Sequence, residues 1–174
     1  MKRIVCALVI LCLAAGFMFA GGQGEDTTKP IRVGFSMPLT GGLSANGKSA
    51  LLAFQICAEE WNARGGVLGR QIELVYYDDH SNASEIPGIY TKLITVDKVD
   101  FVISSYGTPN ITAALPIVME YKMVYPAIFA MEGNKGFNYP YYFSFFPLGA
   151  NGLRTLADLY FGAAVKQSPP CKTT

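Results

Sequence analysis

The chain has 174 residues, enough for one ordinary domain with its own core. Hydrophobic residues make up 51% of it and charged residues 16%, which excludes a disordered or nucleic-acid-coating chain. The net charge is +1, so no basic stripe is available to neutralise phosphates, and nucleic-acid binding has no electrostatic support.

The first twenty residues read differently from the rest. Lys2 and Arg3 give a positive start, Ile4 to Phe19 carry no charge, and Ala20 leads into Gly21, Gly22, Gln23, Gly24, Glu25 and Asp26. That is the order of a secretory signal peptide, expected over residues 1–20, with a polar linker over 21–29 and a mature chain in the periplasm. An uncleaved membrane anchor is the alternative, but the run is at the short edge for spanning a bilayer and meets a Gly-rich linker. A lipid anchor is disfavoured because neither Cys6 nor Cys12 follows the small residues such a site uses. The mature chain keeps Cys57 and Cys171; Cys57 falls in a helical apolar pattern and reads as core. With no CxxC and a single histidine, neither a zinc site nor any other cofactor is expected.

Along the mature chain, Ile31 to Phe35 is a short β-type run, and Pro38 to Gly47 is a loop with three glycines. A helix is predicted from near Lys48, with Ala50, Phe54, Cys57 and Trp61 on its buried face and Gln55, Glu59 and Asn62 on its wet side. Gly65 and Gly66 stop it. Gln71 to Tyr77 is the second strand, with Asp78, Asp79 and His80 at its carboxyl end. Ser84 to Asp97 is the second helix, with Pro87 in its first turn and Ile86, Ile89, Tyr90, Leu93 and Ile94 as its buried stripe. Asp100 to Ser104 is the third strand, apolar in its middle as in a sheet covered on both faces. Residues near Pro109 to Tyr121 form the third helix, bent by Pro116. Val124 to Ala130 and Tyr141 to Phe146 are the fourth and fifth strands, and Ala150 to Phe161 is the last helix.

This alternation, with short connections, predicts an α/β fold with parallel strands and right-handed crossovers. Ligands then bind beyond the carboxyl ends of the strands. Four segments fall there: Ser36 to Gly47, Asp78 to Ser84, Ser104 to Asn110, and Pro126 to Gly133.

One motif is a decoy. Gly42-Leu-Ser-Ala-Asn-Gly47-Lys48-Ser49 matches the nucleotide-binding P-loop pattern GxxxxGK[ST], after a strand and at a helix start. A P-loop begins almost at the strand end, whereas Met37-Pro38-Leu39-Thr40 intervene here, and an exported chain meets little nucleotide triphosphate. P-loop nucleotide binding is therefore a remote alternative. Asp78-Asp79-His80 reads as solvated carboxylates at a strand end rather than a metal or acid–base cluster, because neighbouring strand residues point to opposite faces. Asn82-Ala-Ser84 and Asn110-Ile-Thr112 match glycosylation sequons, to which no function is attached. No nucleophile elbow GxSxG is present, and His80 is the one histidine a triad could use, so an enzyme is not expected.

Lys29 to Gly69 carries a familiar order of features: Ile31-Arg-Val-Gly-Phe-Ser-Met-Pro-Leu-Thr-Gly41, a loop, Gly47, and a helix ending Trp61-Asn62-Ala-Arg-Gly65-Gly66-Val67-Leu68-Gly69. With Ile72-Glu-Leu-Val-Tyr-Tyr-Asp78-Asp79, Phe101-Val-Ile103, Thr112-Ala-Ala-Leu-Pro116 and Val124-Tyr-Pro126-Ala127, it resembles the leucine/isoleucine/valine-binding protein family. These are type I periplasmic binding proteins that serve branched-chain amino-acid ABC importers.

The resemblance implies two Rossmann-like α/β lobes with the ligand in the cleft between them. It also implies an amino-acid ligand, a membrane permease as partner, and a monomer. Residues 30–148 would be the N-terminal lobe; residues 149–174 would be the start of the second lobe and an aberrant tail, the chain being a fragment truncated before that lobe. A sensory ligand-binding domain of the same fold is the alternative. Ser105, Tyr106, Gly107 and Thr108 match the family's carboxylate loop, where exposed amides and a hydroxyl at a helix start form an anion site. Thr108 can equally be read as a helix cap. Ala127, Ile128 and Phe129 match the loop that meets the amino-acid head. Asn46 stands where relatives often place an aromatic residue, a departure that leaves side-chain specificity open, as do Ile128 and Phe129.

Overall fold

A computed structural model describes residues 29–145 and 152–166. The predicted signal peptide and the tail after residue 166 lie outside the described residues. The strands are β1 (Ile31–Met37), β2 (Ile72–Asp78), β3 (Phe101–Val102), β4 (Tyr125–Ala127) and β5 (Tyr142–Ser144). The helices are α1 (Ser44–Ala63), α2 (Ile86–Thr95), α3 (Thr108–Glu120) and α4 (Gly152–Val165).

All paired strands are parallel. β1 lies between β2 and β3, with Ile31 opposite Ile72, Met37 opposite Asp78, and Val33 opposite Phe101. β4 pairs with β5, Tyr125 opposite Tyr142. The two ladders meet at one point, where Ser104 N–H donates to the Pro126 carbonyl (3.0 Å). The spatial sequence is therefore β2-β1-β3-β4-β5, and the chain reverses its direction of travel between β1 and β3.

The main core lies where α2 and α3 cover the sheet. Ile86, Tyr90 and Leu93 of α2 and Ile111, Leu115 and Val118 of α3 are fully buried. The predicted stripe of α2 is borne out, with Ile89 and Ile94 packed against that cluster. Gly34 lets α2 and the turn after it sit on the β1 backbone: a Cβ there would lie 3.2 Å from Leu93 Cδ2 and 2.9 Å from Val99 Cγ2. Tyr90 donates its hydroxyl to the Ile103 carbonyl (2.6 Å), and burial pushes its pKa up to about 12. On the other face, Phe35 packs edge-on against Phe54 of α1 (5.0 Å) and stacks on Tyr76 of β2 (5.5 Å).

The phase of α1 corrects the sequence reading. The helix starts at Ser44, not near Lys48, and buries Gly47 and Ala58. Phe54 does face the sheet, but Cys57 is exposed and Trp61 is 46% exposed. The close approach at Gly47 sets this phase: a Cβ there would lie 2.0 Å from the Pro38 carbonyl. The inner row consequently runs 47, 51, 54, 58, 62. Asn62, read as wet, is half-buried and holds the start of β2: Ile72 N–H donates to Asn62 Oδ1 (2.7 Å), and Asn62 Nδ2 donates to the Ile72 carbonyl (2.9 Å). Gln55 is also half-buried. Gly65 and Gly66 end the helix at φ 98° and 81°, as expected.

β3 is a second correction. Val102 is buried against α2 and α3, but Phe101 on the opposite face is 54% exposed. α1 packs over β1 and β2 and leaves Phe101 uncovered. Among the described residues β3 is thus covered on one face rather than two.

Truncating Leu93 to Ala in this core is expected to cost about 3 kcal/mol. Leu52→Ala on the outer side of α1, where Leu52 is 57% exposed, should stay within about 0.5 kcal/mol. Urea midpoints of the two variants check the contrast.

Candidate functional site

Strand alternation sends Asp78 and Asp79 to opposite sides of β2, and each then organises a different loop. Asp78 turns toward the β1–α1 loop. It accepts from Leu39 N–H (2.9 Å), Thr40 N–H (3.2 Å), the Thr40 hydroxyl (2.7 Å) and His80 N–H (2.8 Å). Desolvation pushes its pKa up, but these bonds outweigh it and hold the carboxyl down to about 2. Ser81 completes the staple: its hydroxyl donates to the Thr40 carbonyl (2.8 Å) and accepts from Leu43 N–H (3.0 Å).

Asp79 turns inward and is fully buried, so the reading of a solvated pair is corrected. The Ser105 hydroxyl donates to Asp79 Oδ2 (2.6 Å), and Asn110 Nδ2 (3.3 Å) and Ser81 N–H (3.1 Å) donate to Oδ1. Desolvation raises the Asp79 pKa against the lowering effect of those donors. Ser36, Ser104 and Asn110 are buried around it, so Asn110 is closed to glycosylation. The sequence showed two acids at a strand end, and alternation alone would have turned one of them inward.

The other two tips are joined as well. Ile128 N–H donates to Ser104 Oγ (3.0 Å), and Met131 N–H donates to Thr108 Oγ1 (3.1 Å). Asn46 Nδ2 donates to the Tyr106 hydroxyl, linking the start of α1 to the loop before α3. The rings of Tyr106 and Phe129 lie 4.7 Å apart, tilted by 45°. All four segments placed at strand ends by sequence are thus stitched into one surface at the β1/β3 switch point.

Within it, the candidate residues separate into two layers. Ser105 and Ala127 are buried supports, the Ala127 carbonyl accepting from Phe145 N–H (2.9 Å). Asn46, Tyr106, Gly107, Thr108, Ile128 and Phe129 are half-buried or exposed. Gly107 precedes α3 at φ 91° and ψ 141°, a region that favours glycine. It is the N-cap residue, and no side chain caps the helix, so Thr108 stands inside the first turn and is not the cap. Ile111 N–H donates to the Gly107 carbonyl (3.0 Å), so of the first-turn amides those of Thr108 and Asn110 precede the intrahelical ladder.

The P-loop alternative fails on the same geometry. Gly47, Lys48 and Ser49 lie inside α1, where Gly47 N–H donates to the Leu43 carbonyl (2.9 Å) and Ser49 Oγ to the Ala45 carbonyl (3.0 Å). Those groups are turned into the helix rather than around a phosphate. Among the described residues no group of three or more His, Cys, Asp or Glu side chains could hold a metal ion.

The sequence matches the family described as periplasmic binding protein over residues 30–167. The chain belongs to that family. Among curated relatives, a Leu/Ile/Val-binding protein homolog 2 from Brucella abortus is 31% identical over 107 residues, covering 62% of this chain and 27% of that protein. Among solved structures, the branched-chain amino acid transporter substrate binding protein LivJ from Streptococcus pneumoniae, in complex with isoleucine, superposes with a TM-score of 0.62. It is 29% identical, and the match covers 67% of this chain and 33% of LivJ. A solute binding protein of an ABC transporter from Rhodopseudomonas palustris, in complex with 3,4-dihydroxy benzoic acid, gives 0.58 at 27% identity, covering 69% and 32%. The chain thus spans about a quarter of the curated relatives' length and about a third of these structures.

In this periplasmic binding protein the two aspartates act on stability with opposite signs. Asp78, held low, contributes stability that is complete above its ordinary pKa of 3.8 and is lost as pH falls through about 2. Asp79, held high, contributes stability that is complete below 3.8 and is lost as pH rises through its raised value. Asp79→Asn should therefore remove a loss of stability that the parent chain suffers as pH rises above about 4. Asp79→Ala, which strands the Ser105 and Asn110 donors, should cost about 2–4 kcal/mol. Urea midpoints of the three proteins between pH 4 and 7 measure both effects.

Proposed function

We propose that this chain supplies one wall of the solute-binding cleft of an extracytoplasmic receptor serving an ABC importer. Residues 30–148 form its N-terminal lobe, and a second lobe closes over the ligand by hinge motion before the closed form meets a membrane permease. The part played is capture, with no chemistry on the solute. The observation that carries this reading is the uncapped start of α3 at the switch point, flanked by the Thr108 hydroxyl. That hydroxyl accepts from Met131 N–H, which leaves its proton for a carboxylate oxygen.

The solute is a small organic carboxylate. Sequence resemblance points to an amino acid, and the two solved relatives hold isoleucine and 3,4-dihydroxy benzoic acid. Both are carboxylates on a largely apolar body. In this chain the carboxylate is received by the amides and hydroxyl around Gly107 and Thr108, and the body by Asn46, Tyr106, Ile128 and Phe129. Ser105 and Ala127 hold these groups in place from below.

Amide chemical shifts on titrating the isotope-labelled chain with leucine and benzoate test the site. At least one should move signals of residues 105–110 and 127–131 in a saturable way. Thr108→Val, which keeps the shape and removes the hydroxyl, should weaken that binding about tenfold. Shifts confined to other parts of the chain would refute the placement.

A further inference from the structure

The turn that follows β2 is built on backbone that its residues seldom adopt. His80 and Ser81 are consecutive non-glycine residues in the left-handed region, at φ 52° and 60°. The turn lies hard against the β1–α1 loop: a Cβ on Gly41 would lie 2.5 Å from the His80 carbonyl oxygen. From the same turn, Ser81 holds the Thr40 carbonyl and Leu43 N–H, and Asp78 holds Leu39 and Thr40. Whatever fixes this turn therefore fixes the loop that leads into Asn46.

The imidazole of His80, the chain's one histidine, stands between two acids on different elements. Nδ1 is 2.9 Å from Oε2 of Glu85, the N-cap residue of α2. Nε2 is 3.7 Å from Oδ2 of Asp78, the last residue of β2. Both acids are held from elsewhere: Asn82 Nδ2 donates to Glu85 Oε1 (3.2 Å), and the Thr40 hydroxyl donates to Asp78 Oδ2 (2.7 Å). Neutral imidazole has a single N–H, so it donates to one of these acids and turns a lone pair toward the other. Imidazolium has two N–H groups and answers both. The ring is 58% exposed and exchanges protons with solvent directly. Two other charged groups lie near. Asp79 is a third acid, buried beneath the turn, and Lys92, further along α2, has its ammonium over the Tyr77 ring (4.1 Å). The bond to Glu85, and after it the charge on Asp78, raise the ring's pKa above its ordinary 6.5 against the lowering effect of desolvation.

We propose that His80 is a proton-operated latch on the strand tips. As imidazolium it ties the end of β2 to the start of α2 through Asp78 and Glu85, and so clamps the turn that holds the β1–α1 loop. As neutral imidazole it keeps Glu85 and releases Asp78. The contribution of the latch is complete below pH 6.5 and is lost as pH rises through the raised value. Asp78, held down to about 2, stays charged across that range, so the ring is the partner that changes.

Nuclear magnetic resonance of the 174-residue chain, carrying no histidine tag, over about pH 5.5 to 8.5 tests this. The single ring should titrate with a midpoint above 6.5. The Thr40 and Leu43 amides, bonded to Asp78 and Ser81, should lose at least threefold of their protection from hydrogen exchange across that midpoint, after correction for intrinsic exchange. Glu85→Gln should lower the ring's midpoint. His80→Asn keeps a residue that tolerates the left-handed turn and removes the titrating ring. Its protection should be flat across the range at the parent's high-pH level, with the amide signals of Phe35 and Val102 unmoved as the check on folding. A ring midpoint at or below 6.5, or flat protection in the parent, overturns the latch. So does an equal fall in His80→Asn, which would assign the opening to Asp79. None of these readouts uses a solute, so the latch stands or falls apart from the proposed carboxylate site.

Discussion

The arrangement of the site depends on one buried carboxylate. Asp79 sits past the end of β2 yet bonds to Ser105, past the end of β3, and to Asn110, in the first turns of α3. β2 and β3 are not neighbours; β1 lies between them. The carboxylate thus spans the strand order at the reversal point and fixes where α3 begins relative to the sheet. A neutral amide of this size, with a single accepting oxygen, could not accept from Ser105, Asn110 and Ser81 at once, so the tie calls for both oxygens of an acid. Its desolvation opposes folding, and its donors offset that opposition only in part, as the raised pKa records. The fold tolerates this strain where a precise loop position matters most.

Asp78 shows the complementary solution. It stays near the surface, gathers amides from a loop that has no regular structure, and is stabilised in its charged form. Two adjacent acids therefore divide the work by facing opposite sides of one strand. One fixes the loop that leads into the first turn of α1, where Asn46 lies, and the other fixes the loop of Tyr106 that leads into Thr108 at the start of α3. The bond from Asn46 to Tyr106 then joins the two loops at the surface, above the carboxylates that hold them from beneath.

Most of the fold was legible in the sequence, because period and punctuation are strong in it. The α2 stripe, Pro87 in the first turn and the stop at Gly65 and Gly66 are local signals, and the structure keeps them. The phase of α1 was not legible. Ala50, Phe54, Cys57 and Trp61 are apolar at helical spacing, but Leu52 and Ile56 are too, so hydrophobicity alone did not choose a face. The choice is made by Gly47 against the Pro38 carbonyl, a contact between residues nine apart that leaves no mark in the pattern. The same contact ends the P-loop reading, since it puts Gly47-Lys48-Ser49 inside a helix. Asp79 was misread for a related reason. Acids at strand ends are usually wet, and its burial depends on Ser105 and Asn110, which are distant in sequence.

The positions matched by resemblance gathered at one surface because parallel strands put all their carboxyl ends on one side, and a single reversal point brings β1 and β3 tips together. Their division into a lining layer and a supporting layer needed side-chain bonds. Ser105 faces an acid rather than solvent, so its hydroxyl is spent on aiming the loop, and the chain beyond Gly107 turns outward into the start of α3. Gly107 makes this separation possible: its left-handed turn lets the chain leave Ser105 pointing inward and still present the start of α3 outward. The four tips are thus held by bonds among their own residues, which fixes their arrangement in the chain itself.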